Sequence, residues 1–79
     1  MMHELKRSVE SGNIFLGAKE NLKNAKKIQR ALVPSDCREG IVKMLTKNGV
    51  DVEIMEFSKK DIANKLELNF ECEVFGLKR

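Results

Sequence analysis

Short apolar runs alternate with amphipathic helical segments along the 79 residues of the chain, and this alternation constrains the fold more than any other feature. Apolar residues spaced three or four apart indicate a helix that buries one face, whereas alternation every second residue indicates a half-buried strand. The two patterns follow one another four times, which predicts the element order αβαβαβαβ and a sheet with helices packed on both faces. The predicted strands are NIFLG, RALVP, VDVEIMEF and NFECEVFG, and the first two predicted helices are residues 3–11 and 18–28.

The last two predicted strands show the alternation most clearly. Val50, Val52 and Ile54 are predicted to face one side of the sheet, with acidic residues between them. In the last strand, Phe70, Cys72 and Val74 are predicted to alternate with Glu71, Glu73 and Phe75.

Residues that favour helix starts precede the third and fourth predicted helices. Ser35 or Asp36 is predicted to cap the third helix, and Ser58 the fourth, with Asp61 three residues later as in a capping box.

The length of the chain fits one compact domain, residues 1–79, and leaves no room for a second. A domain of this size buries only about two-thirds of the surface of its unfolded chain, so a partner can contribute to its stability. The composition, 42% hydrophobic and 34% charged residues, is that of a folded protein and not of a disordered chain.

Targeting signals are not evident, and we therefore expect a cytoplasmic protein. The segment MMHELKRSVE is charged from its third residue and lacks the apolar stretch of a secretory signal. No apolar run approaches the ~20 residues of a membrane span. Cys37 and Cys72 are the only cysteines, and we expect two buried, reduced thiols.

Positive charge is concentrated in the N-terminal part of the chain. Residues 1–30 hold seven Lys or Arg and three Glu, a net of +4, whereas residues 31–79 have a net of −1. A local excess of this kind favours an anionic partner.

The segment GAKENLK places Lys19, Glu20 and Lys23 near the start of the second predicted helix. The N-terminus of a helix carries a partial positive charge, so lysines there are mildly repelled. Lys26 and Lys27 are predicted to share the outer face of this helix with the other two lysines. A bound polyanion would offset both the repulsion and the excess charge, although a stripe of lysines is also typical of a solvated helix face.

The segment SGNIFLGAKENLKNAKK resembles the start of the ribosomal protein L-seven-Ae/L-thirty-e family, which binds kink-turn RNA. Members typically show a Gly-x-x-x-x-Gly run followed by Asn-Glu-x-x-Lys at the start of a helix. Gly12 and Gly17 match the glycines, and Glu20 and Lys23 match the Glu and Lys; Lys19 stands where the family usually has Asn. The resemblance implies a three-layer α/β/α sandwich around a small, four-stranded mixed sheet.

The resemblance also implies an RNA-binding role without catalysis, cofactor or metal, and a set of contact residues. Glu20 and Lys23 would read the edges of guanines, while Lys19, Lys26 and Lys27 would contact phosphates. Gly17 would let the backbone approach the RNA closely.

The resemblance also implies a second contact surface at LELNF, residues 66–70, the loop before the last strand. In the family, this loop packs apolar groups against an extruded nucleotide. The equivalent residues are Leu68 and Asn69, with Ser35 and Asp36 nearby. Leu68 also suits the hydrophobic core, and Asn69 a turn.

Two alternatives belong to other classes of protein. A protein-interaction or regulatory module would keep the fold and lose specific RNA binding, and Lys19 in place of Asn motivates this alternative. An enzyme is supported only by Cys37, which is predicted near a helix N-terminus, where the pKa of a thiol can be lowered. His3 is isolated near the terminus and predicts no metal site.

Overall fold

A computed structural model describes residues 2–78, and its helices and strands follow the predicted order. The order αβαβαβαβ is confirmed, with one additional 3-10 turn. The elements are α1 (Met2–Ser11), β1 (Ile14–Leu16), α2 (Ala18–Lys23), the 3-10 turn (Ala25–Lys27), β2 (Ile28–Val33), α3 (Glu39–Lys47), β3 (Val52–Ile54), α4 (Lys59–Lys65) and β4 (Phe75–Lys78). No helix within residues 2–78 is long and apolar enough to cross a membrane.

The four strands form one mixed sheet in the order β1-β4-β2-β3. Strand β4 pairs antiparallel with both β1 and β2, and β2 pairs parallel with β3. Strand β2 lies inside the sheet, and its residues Ala31, Leu32 and Val33 are completely buried. Its continuous apolar run is explained by this position, because helices cover both of its faces.

Two hydrophobic clusters, one on each face of the sheet, make the fold a three-layer α/β/α sandwich. Leu32 and Phe75 pack with Leu5 of α1 and Ile62 of α4 on one face. The other face holds the second cluster, in which α2 and α3 pack on the sheet through Leu22, Ile41 and Leu45 against Ala31 and Val33. The sandwich that the family resemblance implied is therefore the observed fold.

The second helix is shorter than predicted. Helix α2 ends at Lys23, and Ile28, which was predicted to close the helix, is instead the buried first residue of β2. Asn24 ends the helix: its N–H and its Nδ2 both donate to Glu20 O, at 3.1 and 2.9 Å. The prediction that Lys26 and Lys27 share the outer face of α2 is therefore wrong, because both lie on the 3-10 turn.

The last strand begins six residues later than predicted. Strand β4 begins at Phe75, which is also where its pairing with β1 and β2 begins, opposite Leu16 and Leu32. Residues 69–73 have no neighbouring strand and form a loop, so Phe70 is half exposed instead of facing the core. Ile54, which was predicted to share a face with Val50 and Val52, is 62% exposed on the edge strand β3.

The two capping predictions have different outcomes. Ser58 caps α4 as predicted, with its Oγ accepting from Asp61 N at 3.2 Å. Helix α3 instead begins at Glu39 after Arg38, so neither Ser35 nor Asp36 caps it. Asp36 Oδ1 accepts from Lys59 N at 3.0 Å and thus stabilises the start of α4.

Candidate nucleic-acid interface

The two ends of the sheet carry different sets of chemical groups. At the end that we call the upper end, β1 leads into Gly17, β2 leads into Pro34, and β4 begins at Phe75. At the opposite, lower end, Asn13 precedes β1, Ile28 begins β2 and Lys78 ends β4. Helix α2 and the 3-10 turn run from the upper end to the lower end.

Gly17 forms the turn between β1 and α2 at the upper end. Its φ of 94° lies in a region that residues with a Cβ rarely adopt, so the turn requires glycine. Its N–H donates to Val74 O at 2.9 Å, and its carbonyl accepts from Asn21 N at 3.1 Å. Gly17 therefore fixes the start of α2 against the segment that leads into β4.

Asn21 holds this turn from inside the protein. It is completely buried, and its Nδ2 donates to Phe15 O at 3.0 Å and to Gly17 O at 2.6 Å. Within residues 2–78, Asn21 Oδ1 has no hydrogen-bond partner, and it lies against the Cα of Gly76. Sequence reasoning missed this residue, because an asparagine within a polar segment gives no sign of burial.

A groove lies beside this turn at the upper end and combines cationic, acidic and aromatic side chains. It is lined by Lys19, Arg38 and the half-exposed ring of Phe70. The groove occupies about 420 Å³, and its other lining residues are Leu16, Gly17, Ala18, Glu71, Cys72 and Glu73.

Arg38 and Glu73 form a two-point ion pair within this groove. Arg38 Nε lies 3.1 Å from Glu73 Oε2, and a terminal guanidinium nitrogen lies 3.0 Å from Oε1. Hydrogen bonding from Arg38 lowers the pKa of Glu73, and the same contact raises the pKa of Arg38. The pair joins the start of α3 to the loop before β4 and neutralises a carboxylate in the groove.

The residues of the sequence motif lie on the exposed side of α2. Lys19 and Lys23 are four residues apart and project from the same side of the helix. Glu20 is exposed, and its Oε1 accepts from Asn24 Nδ2 at 3.3 Å. Lys26 and Lys27 lie farther away, at the lower end, where both line a second groove together with Lys23.

The four residues of the second predicted contact surface lie outside the upper-end groove, and their contact with RNA stays a prediction. Ser35, Asp36, Leu68 and Asn69 do not line the upper-end groove. Leu68 packs against the hydrophobic core, as the core interpretation predicted, and Asn69 is exposed. Phe70 of the same loop and Arg38 line the groove instead. Sequence reasoning missed Phe70 because its spacing from Cys72 and Val74 matched the alternation of a strand.

The two thiols are free, and burial raises the pKa of each. Cys37 is partly buried, and Glu73 and Asp36 contribute to the rise in its pKa. Cys72 is buried and donates to Val74 O at 3.1 Å. No group of three or more His, Cys, Asp or Glu side chains within residues 2–78 could hold a metal ion.

Because the thiolate is the nucleophile, the raised pKa of Cys37 predicts slow alkylation. We expect iodoacetamide at pH 7 to modify Cys37 more slowly than a cysteine in an unstructured peptide, and Cys72 only after unfolding. Mass spectrometry of each site over time measures both rates. Faster modification of Cys37 than of the peptide would support the enzyme alternative.

Comparison with known proteins identifies the fold and no family. No family model and no curated protein matches the sequence. A 15.5kD RNA-binding protein from Giardia lamblia shares the fold with a TM-score of 0.75 at 19% identity, over 99% of this chain and 70% of the other. A Bacillus halodurans protein of unknown function has a TM-score of 0.81 at 13% identity, over 99% of this chain and 83% of the other.

Proposed function

We propose that the protein binds structured RNA in the cytoplasm, without catalysis, and reads an internal loop of the kink-turn type at the upper end. One observation carries the proposal: Lys19, which follows the turn at Gly17, and the half-exposed ring of Phe70 line the same groove, with Glu20 and Lys23 on the adjoining exposed side of α2. The fold shared with the RNA-binding protein from Giardia lamblia supports the same class of ligand.

The chemistry of these side chains suits the unstacked bases of an RNA internal loop. The Glu20 carboxylate can accept from guanine N–H groups, and the Lys23 ammonium can donate to O6 or N7. The ring of Phe70 can stack on a base that leaves the helical stack. Lys19 lies where it can contact a phosphate next to that base.

The Arg38–Glu73 pair makes the groove more favourable for an anion. Glu73 alone would repel a phosphate, but the guanidinium offsets its charge. The Arg38 side chain is 74% exposed, so its remaining N–H groups face solvent and can donate to RNA.

A binding titration with two RNAs tests the proposal. The protein is titrated against a kink-turn RNA and a plain duplex of the same length, at a low and a higher salt concentration. We expect a preference for the kink-turn that persists at higher salt, because base contacts release few counterions. Equal binding to both RNAs that falls steeply with salt would contradict base recognition.

A protein-interaction module is the second candidate, and exposed apolar side chains favour it. Ile54, on the edge strand β3, and Met44, on α3, are 62% and 51% exposed. Lys19 in place of the asparagine of the motif is consistent with a lost RNA site. This candidate predicts weak RNA binding that depends only on salt, together with self-association or a protein partner. A monomer in sedimentation that captures no partner in a pull-down would argue against it.

A further inference from the structure

A cluster of lysines lies at the lower end, and of its members only Lys23 takes part in the reading of bases described above. Lys26 and Lys27 of the 3-10 turn and Lys78 of β4 line one groove together with Asn13 and Phe15. Lys26 and Lys27 also line the neighbouring groove, which contains Lys23. The two grooves therefore form one continuous surface, the lower-end basic surface, which consists of Lys23, Lys26, Lys27, Lys78 and Asn13.

The sheet register explains why lysines distant in sequence meet here. Ile28, the first residue of β2, lies opposite Lys78 in the antiparallel pair, so Lys27 lies next to the end of β4. Lys78 lies on the same face of the sheet as Phe15, and its Nζ is 4.7 Å from the centroid of the Phe15 ring. A cation over an aromatic ring is favoured by about 0.5–1 kcal/mol at an exposed site, so the contact favours a position of the Lys78 ammonium within this surface.

Within residues 2–78, no acidic side chain neutralises the charges of the lower-end basic surface. No Asp or Glu lines either of its two grooves. The ion pairs within residues 2–78 do not include Lys23, Lys26, Lys27 or Lys78. Clustered like charges repel one another and destabilise the folded chain, and a polyanion removes that repulsion when it binds.

The distance between the two ends fits a short length of duplex. Six residues of α-helix rise about 9 Å and three residues of 3-10 helix about 6 Å, so the upper-end groove and Lys27 are about 15 Å apart along α2. A-form RNA rises less per base pair than the about 3.4 Å of B-DNA, so this distance corresponds to about five base pairs. Lys23 lies between the two ends and continues the positive charge.

We propose that the lower-end basic surface binds the phosphate backbone of a duplex stem that extends from the RNA loop held at the upper end. This inference rests on the proposed function and adds the stem as a second recognised feature. Lys26, Lys27 and Lys78 contact phosphates, and the Asn13 amide hydrogen-bonds to a phosphate or a 2′-hydroxyl. These contacts position the RNA and do not read its sequence.

The dependence of affinity on stem length tests this proposal. Kink-turn RNAs with one stem or the other lengthened by about five base pairs are compared with the short parent RNA. We expect the full chain to bind one lengthened RNA more tightly than the parent, and Lys78→Gln to lose part of that gain, because Lys26 and Lys27 remain. Lys78→Gln should reduce the slope of log K against log salt by about one, so its loss of affinity is about fourfold greater at about 50 mM salt than at about 200 mM.

Two further variants separate charge from structure. Lys78→Arg keeps the charge and should bind like the wild type. Lys60→Gln removes an exposed lysine from α4, on the opposite face of the sheet, and should leave the gain from the longer stem unchanged.

The outcomes distinguish this proposal from the proposed function. The same preference for the longer stem in Lys78→Gln and in the wild type would overturn the stem contact, even if preference for the kink-turn persisted. A second outcome is that the protein shows no preference for the kink-turn, while its affinity for a duplex falls in Lys78→Gln and not in Lys60→Gln. This outcome would overturn the proposed base recognition and support the phosphate contact. A wild type that binds no RNA, or an acidic protein partner lost in Lys78→Gln, would overturn both.

Discussion

Gly76→Ala should destabilise the fold by about 3 kcal/mol or more, the largest effect on stability that we expect from a single methyl group. A Cβ at position 76 would overlap Asn21 Oδ1 and approach Ile28 Cδ1 to 3.1 Å. The Asn21 side chain would have to move, and its hydrogen bonds to Phe15 O and Gly17 O would be lost. Urea unfolding of the variant and the wild type measures the difference in the free energy of unfolding.

A matched glycine and a double variant provide the controls. Gly40→Ala adds the same methyl group within α3, where a Cβ meets nothing within 4 Å, and should stabilise the chain by about 0.5–1 kcal/mol. Asn21→Ala combined with Gly76→Ala should cost less than the sum of the two single changes, because the first removes the atom that the second displaces. Additive costs would show that the contact between Asn21 and Gly76 does not limit stability.

The element order was predictable from sequence because it depends on local periodicity. An apolar run indicates a strand or a helix from the spacing of neighbouring residues alone. The cap of α4 is equally local, because Ser58 accepts a hydrogen bond from Asp61 N, three residues later. Element ends were less predictable because they depend on partners elsewhere in the chain. Strand β4 begins at Phe75 because its pairing with Leu16 and Leu32 begins there.

The candidate site depends still more on distant contacts. The motif around Glu20 and Lys23 is continuous in sequence, so it could be located before the structure was known. Arg38 and Phe70 belong to separate segments, and only the folded chain brings them to the groove beside Lys19. Lys78 joins Lys27 through the register of two strands that are far apart in sequence. No local sequence pattern indicates that these distant residues lie close together in the folded chain.

Glu20→Ala should reduce the preference for a kink-turn RNA over a plain duplex by about fivefold to 150-fold, and Lys23→Ala should do the same. A bidentate contact to a base edge contributes about 1–3 kcal/mol of discrimination, which corresponds to this range. Both side chains are exposed, so the folded state should be retained. Titration of each variant against both RNAs measures the ratio, and thermal unfolding verifies the fold.

The sign of the Glu20→Ala effect separates base recognition from simple charge attraction. If RNA were held only by lysines, removal of a carboxylate would raise the affinity for every RNA. Base recognition instead requires the kink-turn affinity to fall while the affinity for the duplex rises slightly or stays unchanged. Glu56→Ala removes another exposed carboxylate, outside the motif, and should leave the kink-turn preference unchanged. A rise in affinity for both RNAs in Glu20→Ala would refute base recognition by Glu20, because the carboxylate would then act only as a repulsive charge.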